Sequence, residues 1–352
     1  MINKLKRIAA ALDGKIRLME VCGTHTVTIF RAGIRQILPS NVELVSGPGC
    51  PVCVTDDQYI DRAIAYAGNR HNIIATFGDM LKVPGSRSSL AAAQAEGADV
   101  RIIYSPLDAV EIARDNPDRR VIFLAVGFET TAPTAAAAVL CARDRHINNF
   151  YALSAHKLVP PVMRALLDSD DINVDGFLLP GHVAVVIGAD AFNFLATDYN
   201  MSGVVAGFEP EEILRALVRL IRSIVEHRAE IGNEYESVVR AEGNRAAQSI
   251  LNRVYEPADA DWRGIGSIPN SGLKMRDEFA AFDIERVDSI EVEPSSTKTA
   301  CRCGEVLRGV INPTECPLFA RACNPLHPIG PCMVSVEGVC AAWFKYNRQQ
   351  EF

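Results

Sequence analysis

The sequence has no long apolar segment: no stretch approaches the roughly 20 apolar residues that a helix needs to cross a bilayer. It has no long basic run either, and its formal net charge of −7 argues against nucleic acid as a partner. The N-terminus starts as a short basic amphipathic segment, but Asp13 and Lys15 interrupt it before an apolar core of signal-peptide length forms. We therefore expect a cytoplasmic protein with neither membrane nor nucleic acid among its partners.

Signatures of nucleotide and acyl chemistry are missing as well. The chain has no GxxxxGK loop followed by serine or threonine, and no helical pattern follows Gly264-Ile-Gly266 as a dinucleotide fingerprint requires. No GxSxG elbow of a serine hydrolase occurs. The sequence therefore gives little support to nucleotide hydrolysis or to a Ser–His–acid triad.

The composition is that of a globular protein with apolar cores, at 48% hydrophobic and 22% charged residues. From about residue 16 to residue 230, short apolar runs alternate with helical patterns. Strands buried on both faces read as continuous apolar runs, so this alternation predicts βαβ units with parallel sheets. The predicted strands are 16–21, 42–46, 72–77, 100–104, 120–126, 150–154, 176–179 and 203–206, and clear helical patterns cover 58–67, 90–96, 134–143 and 211–228.

The length of 352 residues suggests two or three domains. Eight strands could form one sheet, but single cores rarely grow past about 250 residues. We therefore predict an α/β protein with two Rossmann-like parallel-sheet domains, residues 1–100 and 101–240.

The pattern degrades after residue 240. The segment 256–300 is rich in proline and glycine and is predicted to be irregular, with a short strand at 284–292. The Cys-, Pro- and Gly-rich segment 301–340 can bury little apolar area by itself, so a metal or cross-links should hold it. We predict a small Cys-rich iron–sulfur domain over 241–352, whose C-terminal end could pack back on the first domain.

Polar and reactive residues directly follow the apolar runs. In open parallel sheets, ligands bind outside the carboxyl ends of the strands, so these residues are expected to share one rim. Strand-to-helix turns need Gly, Pro, Ser and Thr in any case, but that need does not explain three cysteines and three histidines. The segments are 20–25, 46–53, 76–79, 127–133, 154–157 and 179–182.

Ten cysteines need a chemical reason in a cytoplasmic chain, where structural disulfides are rare. They fall into two groups, which implies two chemical centres far apart in sequence. Cys141 stands alone in an alanine-rich helical pattern and is expected to be a small apolar residue. The first group is Cys22, Cys50 and Cys53, and the second is Cys301, Cys303, Cys316, Cys323, Cys332 and Cys340.

Cys50-Pro-Val-Cys53 is a CxxC motif placed directly before a helix start predicted at Thr55. Helix N-termini stabilise thiolates, so we expect a lowered pKa for Cys53 and, by the same argument, for Cys22. Three thiolates on one rim suit a soft or borderline metal such as iron. The alternatives are a thioredoxin-like redox pair and half of a zinc site, although no second CxxC or HxxxH lies nearby. His25 is a candidate further ligand, proton donor or hydrogen-bonded turn residue.

Six thiols within 301–340 strongly indicate a metal site or disulfides. A four-cysteine cluster leaves two thiols over, which could form a redox-active disulfide. Cys316-Pro317 is similar to the Cys-Pro that ends bacterial ferredoxin cluster motifs. A four-cysteine zinc site is the main competitor, and three disulfides are disfavoured in the cytoplasm.

These segments together resemble one family. From about residue 16 to residue 343 the chain is similar to the HypD family of hydrogenase maturation proteins, with no departure at a cysteine position. The motifs that carry the resemblance, in family order, are MEVCGTHT, SGPGCPVCVT, TFGDM, GFETTAP, SAHKLVPP, LPGHV and the tail beginning CRCGEVLRG.

The resemblance implies a role in building the iron centre of [NiFe] hydrogenases, in which iron carries two cyanides and one carbon monoxide. It also implies a complex with a HypC-type chaperone, with the iron between the two proteins, and a HypE-type partner that donates cyanide. By motif, Cys22 would be an iron ligand, Cys50 and Cys53 essential thiols beside it, and His25 a nearby polar group. We therefore expect these three cysteines to hold a transient Fe(CN)2CO group.

The resemblance further implies a [4Fe-4S] cluster in the tail beside a disulfide, as in ferredoxin–thioredoxin reductase. We expect an assembly scaffold with redox activity rather than a conventional turnover enzyme. The main alternative is an iron–sulfur thiol–disulfide oxidoreductase acting on protein partners, and a third is a binding module with zinc in its tail. By analogy with the reductase, the cluster ligands would be Cys301, Cys316, Cys323 and Cys340, and the redox pair Cys303 and Cys332.

Overall fold

The strand pattern predicted from the sequence is confirmed by a computed structural model, which describes residues 1–293 and 300–347. All eight predicted strands form, each within two residues of its predicted bounds. Three further strands follow them along the chain. The strands are β1 (Ile16–Glu20), β2 (Val42–Ser46), β3 (Asn72–Thr76), β4 (Val100–Ile102), β5 (Arg120–Gly127), β6 (Phe150–His156), β7 (Gly176–Pro180), β8 (Ser202–Ala206), β9 (Ile231–Asn233), β10 (Tyr255–Trp262) and β11 (Gly266–Met275).

Helices connect these strands, and no helix in the described part of the chain is long and apolar enough to cross a membrane. The helices are α1 (Ile2–Ala9), α2 (Gly23–Arg31), α3 (Ile34–Ile37), α4 (Pro51–Val54), α5 (Asp57–Ala67), α6 (Leu90–Ala95), α7 (Pro106–Asp115), α8 (Ala132–Asp144), α9 (Val159–Leu167), α10 (Gly181–Ile187), α11 (Phe194–Tyr199), α12 (Pro210–Val225), α13 (Arg245–Val254), α14 (Ile284–Val287), α15 (Cys303–Leu307) and α16 (Val339–Tyr346). Short 3₁₀ turns cover Gly78–Lys82, Ala189–Phe192, Asp277–Phe282, Pro313–Glu315 and Pro331–Met333.

Two parallel sheets form the body of the molecule. The first has the strand order β2-β1-β7-β8-β9, and the second has the order β4-β3-β5-β6. Every residue of β3, β7 and β8 is buried, as expected for strands that are covered on both faces. The prediction of an α/β protein with Rossmann-like parallel sheets is therefore confirmed.

The division of strands between the sheets does not follow the predicted boundary near residue 100. β1 and β2 belong to the same sheet as β7, β8 and β9, whereas the intervening strands β3 to β6 form the second sheet. Residues 1–100 and 101–240 each contribute to both sheets. Parallel partners are joined by long crossovers, so the order of strands along the chain does not by itself specify which of them pair.

The segment 256–300 differs from the irregular chain that was predicted. β10 and β11 form an antiparallel hairpin, and α14 replaces the strand predicted at 284–292. The hairpin is anchored by the buried Trp262, which stacks on Phe128 at 6.0 Å between ring centroids. Residues 294–299 of the predicted segment lie outside the described residues.

Candidate functional site

Four neighbouring strands of the first sheet end beside one another. Cys22 follows β1, Cys50 follows β2, His182 follows β7 and Phe208 follows β8. The connection from β1 leads to β2 on one side of the sheet, whereas the connection from β7 leads to β8 on the other side. The strand order therefore reverses between β1 and β7. Ligands of open α/β sheets bind at such a switch point, outside the carboxyl ends of the strands. The crevice between the ends of β1 and β7 is therefore the candidate site.

The reactive segments predicted to share one rim are divided between two. Segments 20–25, 46–53 and 179–182 lie at the first sheet, while the other three follow β3, β5 and β6 of the second sheet. The three N-terminal cysteines thus share the first rim with His25 and His182. The third histidine, His156, lies buried at the end of β6 in the second sheet.

Glycines bring the first cysteines together. Gly23 N–H donates a hydrogen bond to the Gly49 carbonyl at 3.1 Å, and a Cβ on Gly49 would overlap the backbone of Cys22. Cys22 is the N-cap of α2 and Cys50 is the N-cap of α4. The Cys50 Sγ accepts a hydrogen bond from the Cys53 N–H at 3.3 Å. The structure therefore places the Cys22 backbone directly against the loop that carries the CxxC motif.

The expectation of lowered thiol pKa values is wrong for this chain. Burial raises the pKa of Cys22 to about 11, which outweighs the lowering effect of the His25 backbone N–H at the helix N-terminus. Burial also raises the pKa of Cys53, and the neighbouring thiols of Cys332 and Cys50 raise it further. The free energy lost when a thiolate is removed from water is larger than the stabilisation that a short helix N-terminus provides. Metal binding to Cys22 or Cys53 must therefore displace a proton from a neutral thiol.

The two cysteine groups meet in the fold. The Cys53 thiol is in hydrogen-bonding contact with the Cys332 thiol, and both side chains are almost completely buried. Cys50, Cys53 and Cys332 belong to one apolar core cluster, against which Cys303 and Cys340 pack. The centres that lie far apart in sequence are therefore adjacent in space.

The tip of the β10–β11 hairpin lies between these groups. Arg263 N–H donates to the Val54 carbonyl at 2.9 Å, and its Nε donates to the Thr55 carbonyl at 2.7 Å. On the other side, Gly264 lies so close to Gly304 that neither position leaves room for a Cβ. The hairpin thus fixes the segment after the CxxC motif relative to the CRCG segment. Sequence reasoning missed this element.

The helix that was predicted to start at Thr55 starts one residue later, because Asp56 is the N-cap of α5.

Four other tail thiols lie near Cys340. Burial raises the pKa of Cys340, and four neighbouring thiols raise it further: Cys332, Cys301, Cys323 and Cys316. Cys316 and Cys323 form a small apolar core with Met333, and Cys340 packs against it. The Ile329 N–H donates a hydrogen bond to the Cys323 Sγ at 3.4 Å.

This donor set fits an iron–sulfur cluster by its chemistry, since such clusters are held by cysteine thiolates. All ten cysteines are free of disulfides. Within 1–293 and 300–347, no group of three or more His, Cys, Asp and Glu side chains is arranged to hold a single metal ion. A four-iron cluster is larger than one ion and spaces its thiolates more widely.

His25 is buried rather than open to a ligand. Its Nε2 lies 3.0 Å from the Gly207 carbonyl and must carry the proton, because a carbonyl only accepts. Its ring stacks on Phe208 at 4.9 Å, and burial lowers its pKa to about 4. The imidazole is therefore neutral at pH 7, with its N–H already in use.

Two carboxylates beside Cys22 were not selected from the sequence. Glu337 accepts a hydrogen bond from the Thr24 hydroxyl at 2.7 Å, and its charge adds to the raised pKa of Cys22. Glu20 is buried two residues before Cys22, where it pairs with Arg35 at 3.3 Å. Glu20 lies in the MEVCGTHT motif and Glu337 lies in the Cys-rich tail. The sequence around them does not distinguish either residue from an ordinary surface acid.

Glu129 of the GFETTAP segment has a structural role at the second sheet. Its Oε1 accepts a hydrogen bond from the Val159 N–H at 2.8 Å, at the start of α9, while its Oε2 has no partner among the described residues. Burial raises the pKa of Glu129 to about 7 from an ordinary value of 4.5. The carboxyl group is therefore held near its midpoint at neutral pH.

We expect Glu129→Gln to stabilise the protein at pH 8 but not at pH 4.5. The folded-state pKa lies above the unfolded one, so the free energy of unfolding falls as pH rises through this window. Glutamine still accepts the hydrogen bond from the Val159 N–H but does not ionise. At pH 8 the free energy of unfolding of Glu129→Gln should therefore be higher than that of the wild type by up to about 3 kcal/mol. Urea unfolding of both proteins at the two pH values measures it. An equal difference at both would contradict a titrating Glu129.

Comparison with known proteins identifies the family. The HypD family model, described as the hydrogenase formation hypA family, matches residues 1–347. The chain belongs to the HypD family. It is 46% identical to the hydrogenase maturation factor HypD of Azotobacter vinelandii, over 98% of this chain and 93% of the relative. The HypD of Escherichia coli K12 is 45% identical (99% and 94% covered), and that of Cupriavidus necator is 42% identical (97% and 94% covered).

Proposed function

We propose that this HypD chain is a scaffold on which the Fe(CN)2CO centre of [NiFe] hydrogenases is assembled. The iron is cargo, held by Cys22 with Cys50 and Cys53 beside it, and shared with a HypC-type chaperone. A HypE-type partner donates the cyanide groups. The observation that carries the proposal is the contact of Gly49 with the Cys22 backbone at the switch point of the first sheet.

The rim thiols suit such a cargo. Thiolates are soft ligands that bind iron, and iron with thiolate ligands accepts strong-field cyanide and carbon monoxide. Each thiol that becomes a ligand releases its proton, and the buried position of Cys22 and Cys53 keeps those thiols protonated until metal arrives. Burial also limits attack by solvent on the loaded iron.

In the tail, we propose that Cys301, Cys316, Cys323 and Cys340 hold a [4Fe-4S] cluster. When bound, the cluster would supply electrons one at a time. The thiol pair Cys303 and Cys332 would carry reducing equivalents to the rim. The grouping of Cys316 and Cys323 around Cys340 supports their role as cluster ligands, and the contact of Cys332 with Cys53 supports its place in the pair.

When Cys50 and Cys53 are joined in a disulfide, Cys303 and Cys332 would reduce it by two successive thiol–disulfide exchanges. A Cys332 thiolate attacks a Cys50–Cys53 disulfide at the Cys53 sulfur, forming a Cys332–Cys53 bond and releasing the Cys50 thiolate. Cys303 then attacks Cys332 and releases the Cys53 thiolate. Two electrons have moved: the rim pair is reduced, and Cys303 and Cys332 are oxidised to a disulfide.

Anaerobic metal analysis and infrared spectroscopy of the complex with the HypC-type chaperone test the proposal. We expect about four cluster irons, plus cyanide and carbon monoxide bands. Cys22→Ala should lose the bands and keep the cluster, whereas the matched control Cys141→Ala should keep both. Bands that persist in Cys22→Ala would remove the role of that thiol. A colourless zinc protein would reject the cluster, and turnover of generic disulfides without cargo iron would favour the oxidoreductase.

A further inference from the structure

His182 is an exposed histidine in the crevice at the switch point. It follows β7, the neighbour of β1, in the LPGHV segment for which the proposed function has no role. Its ring stacks on Phe208 at 3.7 Å between centroids with 20° between the planes. Gly181 permits this packing, because a Cβ there would overlap the Ala206 carbonyl and press on Phe208. The position of the imidazole is therefore defined by packing.

The same aromatic ring links His182 to the helix that Cys22 caps. Phe208 contacts His182 on one side and stacks with His25 at 4.9 Å, and His25 lies in the first turn of α2. Glu337 is held beside that turn by its hydrogen bond with Thr24. The charge of Glu337 raises the pKa of both Cys22 and His182, although burial lowers the pKa of His182 more strongly. Thiol, carboxylate and imidazole thus border one crevice.

The two histidines differ in what their nitrogens can still do. The N–H of His25 is used by the Gly207 carbonyl, and its ring has no exposure. Neither nitrogen of His182 has a hydrogen-bond partner in the described part of the chain, and the stack covers a face of the ring while its edge stays available. His182 is therefore available as a hydrogen-bond donor, whereas His25, the histidine of the motif around Cys22, is not.

We propose that His182 donates a hydrogen bond to an iron-bound cyanide of the cargo. This inference rests on the proposed function. The nitrogen of a metal-bound cyanide carries negative charge density and accepts hydrogen bonds, whereas the oxygen of bound carbon monoxide accepts them poorly. A positioned N–H at the end of β7, next to the strand end that carries Cys22, would therefore distinguish iron that has received cyanide from iron that has not.

Two variants separate the donor from the ring. His182→Phe keeps an aromatic ring on Phe208 and removes both nitrogens, while His182→Gln keeps an N–H and loses the stack. His71→Phe, at an exposed position before β3, is the matched control. The measurement is the infrared spectrum of the anaerobic complex with the HypC-type chaperone, with cyanide band positions recorded in H2O and D2O. The stretching frequency of a bound cyanide responds to hydrogen bonding. If His182 had only a packing role, its replacement would not change that frequency.

We expect His182→Phe to shift the cyanide bands, abolish their D2O sensitivity and lower their yield roughly tenfold, the factor of one hydrogen bond to a charged acceptor. The carbon monoxide band should move less, and His182→Gln should lie closer to the wild type. Identical spectra of His182→Phe and wild type would overturn the inference. Loss of the bands in both variants would overturn it too, since it would assign His182 to packing alone. A wild-type complex without cyanide bands would instead reject the proposed function.

Discussion

Cys332→Ser is expected to abolish hydrogenase maturation without loss of the [4Fe-4S] cluster that we propose for the tail. Cys332 is almost completely buried, and its thiol contacts Cys53 of the CxxC motif. Serine is close in size, so the core around it should remain packed. Serine cannot form the disulfide bonds by which the proposed exchange moves electrons to the rim. The loss should therefore be chemical and not structural.

The measurement combines iron content, the thermal midpoint and the hydrogenase activity matured by each variant. Cys303→Ser should behave as Cys332→Ser does, because either change breaks the pair. Cys141→Ser, a cysteine that packs on the core around α8, is the control for loss of a thiol as such. Full activity in both pair variants would reject the relay. Loss of the cluster in either would show that the residue is a ligand instead.

Gly49→Ala is expected to destabilise the protein by about 3 kcal/mol or more and to separate Cys22 from the CxxC motif. The added Cβ would overlap the backbone of Cys22, which connects β1 to α2 and is therefore held at both ends by regular structure. Relief requires the loop before Cys50 to shift away from the strand end. The effect should therefore appear in stability and in site geometry together.

Gly14→Ala is the matched control, because nothing lies within 4 Å of a Cβ at that position. Urea unfolding gives the stability difference, and short bifunctional thiol reagents report whether Cys22 and Cys50 can still be joined. Equal unfolding midpoints for the two glycine variants would mean that the loop accommodates a methyl group, and the tight approach would then have no energetic importance.

The strands could be predicted closely because a parallel strand buried on both faces is a continuous apolar run. The runs at 42–46 and 176–179 required no knowledge of their neighbours. Pairing could not be predicted, since β7 joins β1 across more than a hundred intervening residues. The β10–β11 hairpin was missed because its prolines and glycines resemble those of irregular chain.

The sequence identified the cysteines of the candidate site but not the contacts that they make. The cysteines of the first rim stand out in the sequence, because three thiols after strand ends are unusual. The raised pKa values of Cys22 and Cys53 could not be foreseen, since burial is a property of the whole fold. The same holds for the meeting of Cys53 with Cys332, which depends on how the tail packs against α4. The individual ligand roles of the tail cysteines stay predictions.

The strand order of the first sheet affects how the protein is made. During translation Cys22 and Cys50 leave the ribosome early, but β1 acquires its second neighbour only after β7 has been synthesised. Such distant pairing slows folding. Until then the nascent polypeptide has reactive thiols without the crevice, so we expect chaperoned, low-oxygen synthesis to raise the yield of competent protein.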